Sequence, residues 1–192
     1  MRTIYIPTIV ILMLSLLIFL FQPTSNQWLA YYHSGIENGQ WWRLITAHLS
    51  HTNGFHLLLN AAGLVVINSL FIKSFNTINL IFVSIFSSIF ISLCLFWLDP
   101  NMQWYMGLSG VLHALFAVGV CDEISKKDKW GWILGIGLIS KLTSEQINGS
   151  SPGIENLIAA TVAVDAHLYG AIAGILYFLL KQLSTSLRHY LK

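Results

Sequence analysis

Charged residues are scarce in this 192-residue chain, which has ten Lys and Arg and eight Asp and Glu residues. They make up 9% of the sequence, against about 25% in a typical soluble domain. The net charge of +2 is too small to indicate a nucleic-acid partner. Cysteine is also rare: Cys94 and Cys121 lie in or at the end of separate apolar runs. We therefore expect neither a disulfide nor a metal-binding cysteine pair.

Long apolar runs dominate what is present. Hydrophobic residues form 55% of the chain and the mean hydropathy is +0.67, which is typical of a membrane protein. The runs leave no room for a separate soluble domain, so one membrane domain over 1–192 is expected. The predicted fold class is an all-α bundle of six transmembrane helices. The predicted spans are about 4–21, 54–71, 78–98, 106–121, 130–147 and 157–180.

Two properties of these runs affect how they cross a membrane. The first follows Arg2 as a secretory signal would, but it lacks a small-x-small cleavage site before Pro23. We therefore expect a retained helix. The apolar parts of the fourth and fifth runs are short for a span. A helix that begins below the membrane surface needs partners for its first backbone groups, which indicates a cavity.

Lys and Arg are distributed unequally between the two sides that six spans define. Eight lie on the side of the termini and two on the other, which predicts cytoplasmic termini. The start of the fourth run then faces outward. We expect a multi-pass protein of a bacterial inner membrane whose site opens to the periplasm. The eight are Arg2, Lys73, Lys126, Lys127, Lys129, Lys181, Arg188 and Lys192, and the two are Arg43 and Lys141.

The fourth run begins with a serine between glycines, Gly107-x-Ser109-Gly110, and has a histidine at position 113. Residues four apart share a helix face, so Ser109 and His113 lie on one side. A glycine-flanked serine in a membrane helix is most often a packing residue. Polar groups at membrane depth are nevertheless functional candidates, and other runs add more of them.

Three of these further groups lie in the outward halves of two other runs. His56 and Asn60 share a face of the second run, and His167 lies in the sixth. Serine becomes a nucleophile when a base removes its proton, and Asn and His side chains stabilise an oxyanion, so the set suits acyl transfer. Spacing alone leaves the base open between His113 and His167. Asp165, two positions from His167, points elsewhere on the helix and is not expected to be catalytic.

Five motifs, in this order, resemble the rhomboid family of intramembrane serine proteases. The Gly170-Ala-x-x-Gly174 run, the shortness of the chain and His113 are most similar to the rhombosortase branch. The motifs are Trp42-Arg43, His51, His56-x-x-x-Asn60, Gly107-x-Ser109-Gly110 and Ala166-His167-x-x-Gly170.

The resemblance implies a catalytic dyad of Ser109 and His167 with no third acid. It implies that His56 and Asn60 stabilise the oxyanion, and that Gly107, Gly110, His113 and Gly170 support the site. Trp42-Arg43 resembles a structural signature of the first loop, and His51 a histidine that supports it. His113 departs from the commoner rhomboid pattern, where a tyrosine packs against the catalytic histidine.

The resemblance also implies the partners. The substrate would be a membrane-anchored protein, with a C-terminal Gly-Gly anchor if the rhombosortase similarity holds. Besides the lipid bilayer we expect no other partner: no cofactor, no metal ion and no nucleic acid.

Two alternative functions remain. An inactive rhomboid-like binder of membrane anchors is disfavoured because Ser109 and His167 are both present. A transporter or metal-handling channel built on His48, His51 and other histidines is disfavoured on two grounds. No H-E-x-x-H motif occurs, and the histidines have no paired carboxylate within a span.

Overall fold

The computed structural model describes residues 5–190, with side chains described as far as residue 187. Ile4, where the first predicted run begins, lies outside the described residues. So do Arg2 and Lys192 and the side chain of Arg188, which enter the charge count.

The described chain is mostly helical. The two-residue strands β1 (Tyr31–Tyr32) and β2 (Trp104–Tyr105) pair antiparallel, and a 3-10 helix covers Ala47–Leu49. The helices in chain order are α1 (Tyr5–Leu20), α2 (Thr24–Leu29), α3 (His33–Glu37), α4 (Arg43–Thr46), α5 (Gly54–Leu70), α6 (Thr77–Leu98), α7 (Ser109–Ser125), α8 (Lys129–Asn148), α9 (Pro152–Ile158) and α10 (Val164–Tyr190).

Side-chain caps define where three of the long helices begin. Asn53 accepts a hydrogen bond from the backbone N–H of His56 at the start of α5, and Asn76 caps α6 in the same way. Asp128 accepts from the Trp130 N–H at the start of α8. Each such cap satisfies a backbone donor that the helix leaves free and stabilises the helix by about 1 kcal/mol.

Length and composition identify two described helices as able to cross a membrane, Thr77–Leu98 and Val164–Leu187. A third candidate is the pair Arg43–Leu49 and Gly54–Leu70, which is bent by 94°. The 17 residues of α7 extend about 26 Å at 1.5 Å per residue, less than the ~30 Å of a hydrocarbon core. The chain is thus a helical membrane protein, and the six-span count and the sides of its termini stay predictions.

The sixth run differs from its predicted form. Residues 157 and 158, where that span was to begin, belong to α9, and Ala159 then takes a left-handed conformation with φ 53°. The long helix α10 begins only at Val164 and continues to Tyr190. Hydropathy could not detect this break because residues 157–164 are mostly apolar on both sides of it.

The loop between α1 and α5 is held by Arg43, which is buried. Its guanidinium donates to the carbonyl oxygens of Ala30 at 2.6 Å and Gln27 at 2.8 Å, and to the Gln40 side chain at 2.6 Å. The neighbouring Trp42 indole donates to the Trp28 carbonyl oxygen at 2.9 Å. These bonds satisfy backbone carbonyl groups of an irregular segment that regular secondary structure does not pair.

Helix α7 is the central element, and nine of its 17 residues are buried. It lies so close to α10 that a Cβ on Gly170 would meet the Gly110 carbonyl oxygen, and one on Gly174 would meet that of Ala114. Small residues permit this approach of two backbones. The approach determines how far any side chain of α10 lies from the start of α7.

We expect Gly170→Ala to destabilise the fold by about 1–3 kcal/mol, since the new methyl group would collide with a backbone oxygen that cannot move freely. Gly137→Ala is the matched control, because a Cβ there meets nothing within 4 Å on exposed α8 surface. That variant should match or slightly exceed wild type. Thermal unfolding in detergent measures both, and equal melting temperatures for the two would contradict the packing described.

Candidate active site

Ser109 is the first residue of α7, and the turn before it is held from two sides. The Tyr105 hydroxyl donates to the Gly107 carbonyl oxygen at 2.9 Å, and the Gly107 N–H donates to the Ala47 carbonyl oxygen at 3.1 Å. Gly107 has φ 128°, a conformation that residues with a side chain rarely adopt. The glycine therefore allows the chain to turn sharply into α7 with the Ser109 hydroxyl at the helix start.

His167 on α10 meets this hydroxyl. Its Nε2 lies 2.9 Å from Ser109 Oγ, and the histidine is 6% exposed. The contact follows from the backbone approach at Gly110 and Gly170, since Gly170 is one turn beyond His167. The two residues predicted as nucleophile and base are within hydrogen-bonding distance, which a serine nucleophile needs.

His113 does not contact the Ser109 hydroxyl. Its Nδ1 donates to the Ser109 carbonyl oxygen, 2.8 Å away. Its ring stacks on that of His167, with centroids 4.2 Å apart and an angle of 19° between the planes. Of the two histidines that spacing left open as the base, His167 is thus the one at the hydroxyl, and His113 packs against it.

Glu145 on α8 is a site residue that the sequence reasoning missed. Its Oε2 lies 3.0 Å from Nδ1 of His167, and its Oε1 lies 2.7 Å from Nζ of Lys141. The expectation of a site with no third acid is therefore wrong in its geometry, because a carboxylate contacts the histidine. A charged pair four residues apart inside a predicted span was the available signal.

The argument that the histidines have no paired carboxylate within a span is also wrong. One ligand atom each from His113, Glu145 and His167 lie within 4.8 Å of one another, so these residues could hold a metal ion by proximity. The stacked rings oppose this use, since a histidine binds metal with a lone pair in its ring plane. Two nearly parallel planes 4.2 Å apart do not aim at one point.

His56 and Asn60 on α5 converge just before the serine. A Cβ on Gly107 would lie 2.6 Å from His56 Nε2 and 3.6 Å from Asn60 Nδ2. The Asn60 nitrogen is buried and has no hydrogen-bond partner. The Thr52 N–H and hydroxyl oxygen lie 3.4 Å and 3.0 Å from His56 Nδ1, so Nε2 is the ring nitrogen that faces the turn before Ser109. Both side chains thus place a nitrogen at the turn before Ser109, where an oxyanion site requires its donors.

A largely apolar cavity of about 460 Å³ opens beside these groups. Helix α9 forms one wall, fixed to the start of α5 by hydrogen bonds from Thr52 to the Ile158 carbonyl oxygen and from Asn53 to that of Leu157. The residues that line it are Thr52, His56, Leu59, Asn60, Met102, Trp104, Tyr105, Met106, Ser109, Ile154, Ile158, Ala160, Thr161, Val162, Ala163 and His167.

Glu155 on α9 contacts the segment that follows this helix, residues 159–163. Its carboxylate accepts hydrogen bonds from the Ser150 hydroxyl at 2.7 Å and the Val162 N–H at 3.1 Å. These bonds lower the pKa of Glu155. Because Val162 lines the cavity, the Glu155 carboxylate links α9 to this part of the cavity wall.

The other residues singled out from the sequence lie around the site. Asp165 is partly buried near the start of α10 and is not among the residues that line the cavity. His51 is buried, with Nδ1 3.1 Å from the Leu49 carbonyl oxygen and its ring edge-on to that of His56 at 5.0 Å. His48 lies 3.0 Å from the Ser88 carbonyl oxygen, so it is held in a structural contact.

Comparison with known proteins gives two matches. The family model of the Rhomboid domain matches residues 38–182. A protein of Bacillus subtilis (strain 168) named "Putative rhomboid protease YdcA" is 25% identical over 145 residues, which cover 76% of this chain and 69% of that protein.

Gly107→Ala should cost stability for two reasons, the φ of 128° and the approach of the new methyl group to the His56 ring. Gly149→Ala separates them, since Gly149 has φ 73° and a Cβ there meets nothing within 4 Å. We expect a loss of about 1 kcal/mol at position 149 and about 2–4 kcal/mol at position 107. Chemical or thermal unfolding in detergent compares them. A smaller loss at position 107 than at 149 would refute the placement of His56.

Proposed function

Since this chain belongs to the rhomboid family, we propose that it is an intramembrane serine protease in which Ser109 is the nucleophile and His167 the base. The observation that carries the proposal is the 2.9 Å contact between Ser109 Oγ and His167 Nε2 at the wall of a cavity. Packing alone would not require a serine and a histidine from two helices to meet beside unpaired donors.

The proposed reaction begins when Ser109 Oγ attacks the carbonyl carbon of a peptide bond in the cavity. The Oγ–H proton moves to His167 Nε2, the Oγ–C bond forms, and the carbonyl electron pair becomes an oxyanion. When the oxyanion collapses, the C–N bond breaks and His167 gives its proton to the leaving amine. Water then attacks the acyl-enzyme, again with His167 as base, and frees Ser109.

The oxyanion would lie among donors that have no stronger partner in the resting site. Asn60 Nδ2 is buried without a hydrogen bond, and His56 Nε2 faces the same turn, where it donates to the oxyanion when it carries the ring proton. The Ser109 N–H, at the start of α7, adds a backbone donor where the helix dipole is positive. Preorganised donors of this kind stabilise the transition state without rearrangement during the reaction.

The proposed substrate is a membrane-anchored protein, cut near the outer, periplasmic face of a bacterial inner membrane. The excess of Lys and Arg on the side of the termini supports this orientation. The similarity to the rhombosortase branch supports a C-terminal Gly-Gly anchor. A helix hides its carbonyl groups in hydrogen bonds, and glycine weakens a helix by about 1 kcal/mol per residue, so such a site would expose its peptide bonds.

The test is cleavage of a reporter with a C-terminal Gly-Gly anchor in proteoliposomes. Wild type should cut the reporter, while Ser109→Ala and His167→Ala should lose nearly all activity. Asp165→Asn, near His167 in sequence but outside the cavity lining, should keep it. A fluorophosphonate probe should label wild type at Ser109.

Cleavage by Ser109→Ala protein at the wild-type rate would refute the serine mechanism. Activity that a chelator abolishes, with Ser109→Ala harmless, would favour a metal-dependent function built on the histidines. Labelling at Ser109 without cleavage of the reporter would retain the serine chemistry but refute the Gly-Gly substrate.

Asn60→Ala tests the oxyanion donors. We expect turnover to fall about 10²–10³-fold, the usual effect of removing one donor. Because Asn60 Nδ2 has no partner to lose, the melting temperature should change little. Steady-state cleavage and thermal unfolding measure the two effects. A stability loss that accounts for the lost turnover would contradict the assignment.

A further inference from the structure

We propose, resting on the function proposed above, that Glu145 is a positioning residue that orients and activates the base His167. The Glu145 carboxylate contacts one ring nitrogen of His167, and the other ring nitrogen contacts the Ser109 hydroxyl. Ser109 Oγ is 2.9 Å from His167 Nε2, and His167 Nδ1 is 3.0 Å from Glu145 Oε2. These two contacts join three helices, α7, α10 and α8.

The first consequence concerns which ring nitrogen of His167 carries the proton. An ionised carboxylate can only accept a hydrogen bond, so the nitrogen facing Glu145 must be Nδ1–H. The neutral ring then has its lone pair on Nε2, which is the atom that must take the proton of Ser109. Without an acceptor at Nδ1, the other tautomer would place a hydrogen between Nε2 and the serine and block the transfer.

The second consequence concerns charge. When His167 takes the serine proton it becomes a cation in a site where both it and Glu145 are largely buried, with side chains 7% and 15% exposed. A carboxylate 3.0 Å away stabilises this cation far more than water-screened charges would. Glu145 therefore lowers the energy of the state that forms during attack, while its own proton count stays unchanged.

Lys141 fixes the carboxylate in this role. Its ammonium lies 2.7 Å from Glu145 Oε1, one turn earlier on α8, and its side chain is 48% exposed. This pair occupies the oxygen that His167 does not use. It holds the carboxylate in one rotamer, so Glu145 faces α10 with a defined oxygen.

The charged groups around His167 determine the direction in which the pH profile of Ser109 labelling should move when Glu145 is neutralised. The titratable groups around His167 are Glu145 and Lys141 on α8, His113 on α7 and His56 on α5, with Asp165 two residues away on α10. Of these, Glu145 is the carboxylate in contact with the ring. Removing its charge makes protonation of His167 less favourable, so the acid limb of the rate profile should move to lower pH.

The experiment measures the second-order rate of Ser109 labelling by a fluorophosphonate probe against pH, in the full chain in detergent. Glu145→Gln is nearly isosteric and should still fold, which thermal unfolding checks. We expect labelling to slow at least ten-fold, up to the ~10⁴-fold seen when the acid of a Ser-His-Asp triad is replaced. The midpoint of the acid limb should fall at the same time.

Asp165→Asn is the matched control, since it removes the same charge near His167 without touching the cavity lining. It should label as wild type does. Wild-type labelling by Glu145→Gln protein, or slower labelling with an unmoved acid limb, would overturn the role of Glu145. The second of these outcomes would mean that Glu145 only stabilises the packing of α8.

The design separates this inference from the proposed function. If wild type labels but does not cleave the reporter, the proposed substrate fails and the Glu145 test still applies. If wild type cleaves and labels while Glu145→Gln is unaffected, the protease function stands and this inference fails. Absence of labelling in wild type would overturn both.

Discussion

The close backbone contact between α7 and α10 is the constraint on which the site depends. At Gly110 and Gly170, and again at Ala114 and Gly174, no room exists for a Cβ on α10. Because the two helices approach so closely, His167 reaches Ser109 with an ordinary side-chain length. In a membrane such contact is favoured by packing rather than by the hydrophobic effect, since lipid is as apolar as the helices. Small residues in the core of this bundle therefore determine the distance between the Ser109 hydroxyl and the His167 ring.

A second constraint is that buried polar groups need partners at membrane depth. The first loop meets it through Arg43, whose donors satisfy carbonyl oxygens of residues 27 and 30. The turn before Ser109 meets it through Tyr105 and the backbone of Ala47. Asn60 Nδ2 is an exception, buried without a partner beside the serine. An unsatisfied donor costs stability, and its position beside Ser109 is the one that the proposed oxyanion role requires.

The sequence predicts much of the fold, and it also predicts that Ser109 and His167 belong to one site. Different signals carry the two predictions. Apolar runs locate the long helices, and the small residues flanking Ser109 and following His167 indicate that their helices meet. It does not predict the start of α10, because the break near Ala159 lies inside an apolar stretch and depends on backbone geometry. Glu145 was missed because hydropathy places it in the polar end of a run, and only packing shows that this end faces His167.

The contact between Glu145 and His167 and the lining of the cavity come from different helices. Glu145 holds Nδ1 of His167 from α8, whereas none of the described residues that line the cavity lies on α8. The lining comes from Thr52, α5, α9, the start of α7, the segment before it and residues 160–163, together with His167 itself. Substitutions on the lining can therefore alter what the cavity accepts without disturbing the hydrogen bond behind the base. Conversely, any displacement of α8 away from α10 separates Glu145 from His167, because the two residues lie on different helices. The segment that joins these helices contains α9 and does not itself hold the two side chains together. In the proposed mechanism, the reactivity of Ser109 thus depends on the position of a helix that does not line the cavity.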